Sequence, residues 1–402
     1  MTRLNLVNAS FNPLLFKIYR KYLYSRFYDS DSLSQGEVIH EHSKKHLLFL
    51  SNSLEKNFHY FNPGKQVHLK INNHKFYSPV GLASGFDKNC ELLTPMSYIF
   101  GLVTAGTILK NKNQGNFQDP KKGIKRLIVD HNNNSIINSQ GYPSLGLDYC
   151  ILKLKQFRKK NKGNARIILS FSGISSNNNE DNFLEYCNEI IKTTHSYVDG
   201  FEDSRSSPNT DFNKKIQTTD FTKHIMNMLN SHAPNKIKLS KISPYSIISM
   251  NNNEFKNKIE LVKTFYDNGG DAIVVNNTQI RNISNYKIIK NFNKNEGGIS
   301  GKPLFPYTLK LVKDIHKTIP SLHIIGCGGI FSGHDAWKLI QNGASMIELY
   351  TGLTFKGLSL IREINNTIKI HLKNDSLQNY LDKRDSIFRP GCASGWRFRL
   401  RL

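Results

Sequence analysis

Apolar and polar positions follow two rhythms along this chain. From Ser78 onward, short apolar runs rich in β-branched residues recur between longer stretches of helical spacing. The runs are SPVGLASG (78–85), GLVTAGT (101–107), RIILSFSG (166–173), VDGFEDSRS (198–206), KIKLSKIS (236–243), GGDAIVVNN (269–277), LHIIGCGG (322–329) and SMIELYTG (345–352). Eight such runs alternating with helical patterns predict an α/β fold, a (β/α)8 TIM barrel, whose chemistry sits on the loops after the strand C-terminal ends. A doubly wound open sheet is the alternative, and it places ligands at the same ends.

Ahead of the barrel the pattern is helical. Within residues 12–28, Leu14, Leu15, Ile18 and Tyr22 fall at helical spacing with Lys17, Arg20 and Lys21 between them, which predicts an amphipathic helix with an aromatic face and basic flanks. Such a helix suits a membrane interface or packing on its own domain. A second helix is predicted over roughly 43–54, and VHLKINNHKFYSP reads as a short hairpin turning at Asn72-Asn73. The chain divides on this reading into an N-terminal helical lid or membrane-associating segment (1–60), a barrel (67–373) and a tail of uncertain structure (374–402).

Composition narrows the partners. Lys+Arg number 55 against 31 Asp+Glu, a net charge of +24, which favours anionic partners such as nucleic acid, phosphate cofactors, acidic substrates or an anionic membrane face, with a solvated surface as the alternative. The lysines are scattered among asparagine-rich pieces such as HNNN (131–134), SSNNNED (175–181) and SMNNNE (249–254), which read as polar loops. The five cysteines stand far apart with no C-x-x-C pair, so no metal or iron–sulfur site is expected. No apolar window approaches the ~18 residues of a membrane span.

Chemistry collects at the strand ends. Gly85, Lys88, Thr107, Gly173, Ser204–Ser207, Lys241, Asn276-Asn277, Gly328-Gly329 and Tyr350-Thr351 would share one rim. Lysines there can neutralise charge, amides can read a ring edge, and glycine loops let a phosphate reach backbone N–H groups, so the rim suits a flat, polar, anionic ligand. GGISGKP (297–303) and GCGGIFSG (326–333) lie where barrels commonly hold a cofactor phosphate. SRSSPNT (204–210) has the composition of a turn, but its place after the fourth strand makes it a catalytic-loop candidate.

In order, SPVGLASGFDKN, SIINSQG, SSPNT, KLSKISP, VVNNT, GGISGKPL, IIGCGGIFSG and GASMIELYTGLTFKG resemble the motifs of the dihydroorotate dehydrogenase family over about residues 67–373. The resemblance implies oxidation of dihydroorotate to orotate in pyrimidine synthesis, with FMN as cofactor. It places FMN on Ala83, Ser84, Gly85, Thr107, Asn276, Gly301, Gly328, Gly329, Tyr350 and Thr351, with Lys88, Asn138 and Lys241 beside its ring. Lys88, Asn138, Asn209 and Asn277 would hold the substrate, and Ser207 would be the general base.

A serine base and an N-terminal extension are similar to the quinone-using, membrane-associated class, in which Arg126 and His46 match the quinone site and the location is the mitochondrial inner membrane. The chain departs from the pattern at Ser204, at Ser170 or Phe171, and at Pro143, where the family has asparagines, and its fourth strand is oddly polar at Glu202, Asp203 and Arg205. A flavin-binding relative without turnover and a tRNA-dihydrouridine synthase-like enzyme are the alternatives. Because no basic, aromatic-interleaved RNA domain is appended, nucleic acid is not an expected partner.

Overall fold

The computed structural model describes residues 12–26, 35–56, 62–119, 124–160, 163–175, 179–207, 212–246, 252–282 and 292–387. Two helices come first, α1 (Pro13–Arg26) and α2 (Gln35–Lys56). The hairpin follows as β1 (Leu69–Ile71) and β2 (His74–Phe76), turning through Asn72 at a φ of 48°, a left-handed conformation that asparagine tolerates better than most residues.

The predicted barrel is present. Its strands are β3 (Val80–Leu82) and β4 (Leu102–Ile108), then, after two strands that lie elsewhere, β7 (Arg166–Phe171), β8 (Gly200–Asp203), β9 (Ile237–Ile242), β10 (Ala272–Val275), β13 (His323–Cys327) and β14 (Met346–Leu349). They pair in parallel around a closed ring in chain order, β14 returning to β3, so the open-sheet alternative is excluded. Each strand falls on one of the eight apolar runs, β4 passing the end of its run by one residue, because parallel strands covered on both faces need side chains that shun water on both. Helix starts are marked chemically: Asn179, Thr218 and Ser332 each accept a backbone N–H at the first turn of the helix they cap.

Three features escaped the sequence pattern. β5 (Leu127–Asp130), β6 (Ser135–Asn138), β11 (Gln279–Asn282) and β12 (Glu296–Gly301) form a separate four-stranded sheet in the order β11-β12-β6-β5. It carries Asn138 and Gly301 to the barrel rim. α2 begins eight residues earlier than predicted, at Gln35, because its first half is polar outside and offers the core little beyond Ile39. Its second half is anchored by Leu50 and Leu54, buried in the barrel's own hydrophobic core. Part of the expected tail also folds: the helix Leu377–Ser386 buries Leu377 and Leu381 in the same core, while residues beyond 387 lie outside the described ones.

The polar fourth strand is accommodated in two directions. Asp203 pairs with Arg205, whose Nη2 lies 2.7 Å from Oδ2, and the guanidinium also donates to the Ile216 carbonyl at 2.6 Å and to Thr222 Oγ1 at 3.0 Å. Glu202 points the other way, into the barrel, where Lys241 Nζ lies 3.5 Å from its Oε2 and 3.6 Å from Glu348 Oε2. Thr104 donates to the other Glu348 oxygen at 2.8 Å.

Candidate active site

A cleft opens at the C-terminal ends of the barrel strands. Among the described residues, every cofactor, substrate and base candidate predicted from sequence lines it: Ala83, Ser84, Gly85, Lys88, Thr107, Asn138, Ser207, Lys241, Asn276, Asn277, Gly301, Gly328, Gly329, Tyr350 and Thr351. Asn209 lies outside the described residues.

One end of the cleft is bare backbone. Gly328 and Gly329 hold φ of 131° and 78°, and a Cβ on Gly328 would come within 2.7 Å of Thr308 Oγ1. On Gly329 a Cβ would strike the backbone of Phe305, the first residue of the helix Phe305–Thr318. Only glycine leaves this wall open, and the space suits a phosphate group held by backbone N–H donors. Thr351 closes the same end, its Oγ1 donating to Ser300 Oγ at 2.8 Å.

The floor is charged. Lys241 donates to Ser84 Oγ at 2.9 Å and meets the two buried carboxylates described above. Burial works against the Lys241 ammonium, but Glu202, Cys327 and Glu348 outweigh it and raise its pKa, so it stays charged. Burial drives Glu348 up to about 7, with Lys241 opposing. Lys88 donates to the Gly85 carbonyl at 2.9 Å, and burial pulls its ammonium below the ordinary value against the attraction of Glu37 and Glu41.

At the strand ends where asparagines were expected, hydroxyls form a small network. Thr107 Oγ1 lies 3.1 Å from Ser170 Oγ and donates to Ser204 Oγ at 3.1 Å. Phe171 faces the core, edge-on to Phe201 at 5.9 Å between ring centres. The third barrel strand, β7, thus gives this network a buried hydroxyl and no amide. Pro143 lines the cleft as well. On the remaining side, Asn277 Nδ2 donates to Ser206 Oγ at 3.2 Å and Asn138 Nδ2 to the Gly298 carbonyl at 3.1 Å.

A second cavity, about 720 Å³, lies between α1, α2 and the barrel rim. It shares Lys88, Leu127, Ile136, Gln140, Pro143 and Tyr350 with the cleft, so the two spaces adjoin. Both predicted acceptor-site residues, Arg126 and His46, line it. Arg126 Nε is 2.9 Å from Glu37 Oε1, which also accepts from Gln140 Nε2 at 2.9 Å, and Arg126 donates to the Gln114 carbonyl.

Sequence reading missed two groups in this wall, Glu37 and His40, because they sit in the unpredicted first half of α2. His40 stands edge-on to Phe86 at 5.1 Å, and burial, with Lys88 and Lys44 adding, pushes its pKa down to about 3, so it is neutral. It also missed Tyr142, which lines the cleft and donates from its phenol to the Ser204 carbonyl at 2.6 Å. Their only signal was position: Glu37 and His40 precede a recognised helix, and Tyr142 follows the SIINSQG motif directly.

Comparison with known proteins fits this architecture. A family profile described as dihydroorotate dehydrogenase matches residues 66–372. A dihydroorotate dehydrogenase (quinone) of Coxiella burnetii is 31% identical over 309 residues, covering 72% of this chain and 81% of the relative. One from Christiangramia forsetii is 30% identical over 302 residues, covering 73% and 82%. The ligand-free enzyme of Eimeria tenella superposes with a TM-score of 0.71 over 85% of this chain and 99% of that one, and at 24% identity this likeness bears on the fold alone. With its barrel matched by the family profile from end to end, the chain belongs to the dihydroorotate dehydrogenase family.

Proposed function

We propose that this chain oxidises dihydroorotate to orotate in pyrimidine biosynthesis, with FMN in the cleft and a quinone entering through the lid cavity. The observation that carries the reading is spatial: a polar, glycine-walled cleft opens onto an apolar cavity, and six residues belong to both. The cleft residues fit the cofactor. Gly301, Gly328, Gly329 and Thr351 would take its phosphate, with Ala83, Ser84, Gly85, Thr107 and Asn276 along its length and Lys241 below. Bound FMN would supply a two-electron acceptor.

The remaining work falls to the chain's own side chains. Lys88, Asn138 and Asn277 converge from three elements and would orient the substrate, their amine and amides matching its carboxylate and ring amides. Ser207 would take the C5 proton as the C6 hydride leaves. A neutral serine is a weak base, so close alignment and exclusion of bulk water must supply much of the acceleration. On that side of the rim Phe86 and Tyr350 pack edge-to-face at 5.6 Å, and His40 of the lid stands edge-on to Phe86 at 5.1 Å.

A quinone would lie among the apolar side chains of α1 and α2, with Arg126 and His46 as polar contacts. No helix among the described residues is long and apolar enough to cross a membrane. α1 and α2 do carry Leu14, Ile18, Tyr22 and Phe49 more than half exposed, with basic Lys17 and Lys21 nearby, which supports peripheral attachment to a membrane surface that holds the quinone.

The test is an absorbance spectrum of the purified protein before and after dihydroorotate. A stoichiometric flavin spectrum that bleaches on addition is expected. Bound flavin that never bleaches would instead identify a relative without turnover, and a protein free of flavin would sink the reading.

A further inference from the structure

The loop that carries Ser207 is braced by side chains at three of its carbonyls. Tyr142 Oη donates to the Ser204 carbonyl at 2.6 Å, Gln217 Nε2 to that of Arg205 at 3.1 Å, and Asn213 Nδ2 to that of Ser207 at 2.9 Å. Asn213 also donates to Tyr142 Oη at 3.0 Å, so both hydrogens of its amide are used. Tyr142 and Asn213 therefore form a bridge between the first and last residues of the Ser204–Ser207 segment.

The two halves of the bridge come from different walls. Asn213 belongs to the helix Phe212–Ile216, which follows the loop, whereas Tyr142 follows β6 of the separate sheet and faces the cleft. Asn213 is fully buried and Tyr142 partly so, and burial pushes the Tyr142 phenol up to about 12 against hydrogen bonds from Asn213 and Ser207. The phenol thus keeps its proton at neutral pH and remains a hydrogen-bond donor.

A weak base needs accurate placement, since a misplacement of about 1 Å can cost ~10²-fold in rate. We infer that Tyr142, through its bonds to the Ser204 carbonyl and the Asn213 amide, is the positioning residue that aligns Ser207 with the substrate's C5 proton. This rests on the reading above of Ser207 as the base. A phenylalanine ring would fill the same volume, but it would leave the carbonyl and the amide without their shared partner.

The experiment is a double-mutant cycle read by stopped-flow bleaching with dihydroorotate, alongside flavin content and orotate affinity from the flavin spectrum. Tyr142→Phe is expected to keep flavin content and orotate affinity within about twofold while slowing bleaching by ~10-fold or more. In a Ser207→Ala background the same substitution should cost nothing further, because the group it positions is gone. Asn213→Ala, which breaks the other half of the bridge, should reproduce the pattern.

Equal slowing in both backgrounds, an unchanged rate with Ser207 present, or a fall in orotate affinity matching the fall in rate would each overturn the inference. A wild-type protein that dihydroorotate does not bleach would overturn the parent reading and this inference together. Normal bleaching with an unimpaired Tyr142→Phe variant would overturn this inference alone.

Discussion

The cleft and the lid cavity adjoin, yet they are built by opposite means. In the cleft, groups from seven of the eight barrel-strand ends converge, and most of them are glycines, hydroxyls, amides or lysines. In the cavity, two helices from outside the barrel supply much of the wall, and three of its polar groups pair with one another, Arg126 with Glu37 and Glu37 with Gln140. The contrast matches the two ligand classes proposed: a polar, charged one that needs many directional partners, and an apolar one that needs volume with a few polar contacts. It also means that the two halves of the reaction should be separable by mutation.

The largest expected effect lies in the cleft. Ser207→Ala should slow flavin bleaching by dihydroorotate by roughly 10²-fold or more, while flavin content and reoxidation by quinone stay unchanged. Stopped-flow measurement of the two half-reactions checks this, and an unaltered bleaching rate would remove Ser207 from the mechanism.

Next comes the cavity. Arg126→Ala removes a charge-assisted hydrogen bond worth ~1.5–3 kcal/mol, or about 10- to 150-fold, and that loss should appear in reoxidation by quinone with bleaching spared. Equal losses in both half-reactions would make Arg126 a structural residue and erase the separation.

A smaller effect tests the hydroxyl network. Ser204 is buried and accepts from Thr107, so the position is filled on its own terms and is no simple loss of an amide. Ser204→Asn must displace that hydroxyl, and the net cost of a lost hydrogen bond, ~0.5–1.5 kcal/mol, corresponds to about 2- to 13-fold. Lower flavin occupancy or slower bleaching is expected. Faster bleaching would show that the cleft still has room for the missing amide.

The smallest effect concerns stability. Burial raises Glu348 to about 7 from an ordinary 4.5, so the folded state holds that proton more tightly than the unfolded chain does. Its contribution to stability is therefore full below about 4.5 and is lost as pH rises through about 7. Glu348→Gln, neutral at every pH, should raise the Tm relative to wild type at pH 8 and leave it unchanged at pH 4. A gain of the same size at both values would show that packing, and not ionisation, is responsible.

The barrel was legible because each of its strands is a short apolar run, and the cleft because the residues after those runs are polar or glycine. Sequence alone places Lys88, Lys241 and Asn277 on one rim, since barrel topology brings successive strand ends together. The β5, β6, β11 and β12 sheet was not legible: its two pairs, β5 with β6 and β11 with β12, lie far apart in sequence and carry polar residues such as Arg281 and Asn282. Glu202 and Asp203 looked anomalous in sequence because only three-dimensional pairing, with Lys241 inside and Arg205 outside, shows how their charges are met. His40 and Glu37 were hidden for a related reason. A helix whose first turns face a cavity shows weak periodicity, because the cavity offers little core for it to mark.

If the lid cavity carries the acceptor and the cleft carries the substrate, filling the cavity should block one half-reaction and spare the other. Ile39 is buried on α2 and lines a space of about 720 Å³, so Ile39→Trp can place its ring there without crowding the core. Both half-reactions are then followed in one stopped-flow series. The expected result is a bleaching rate within about twofold of wild type, with reoxidation slowed ~10-fold or more for a hydrophobic quinone and unchanged for a small water-soluble oxidant. Reoxidation by the quinone at the wild-type rate, or loss of both half-reactions together, would contradict the division of labour.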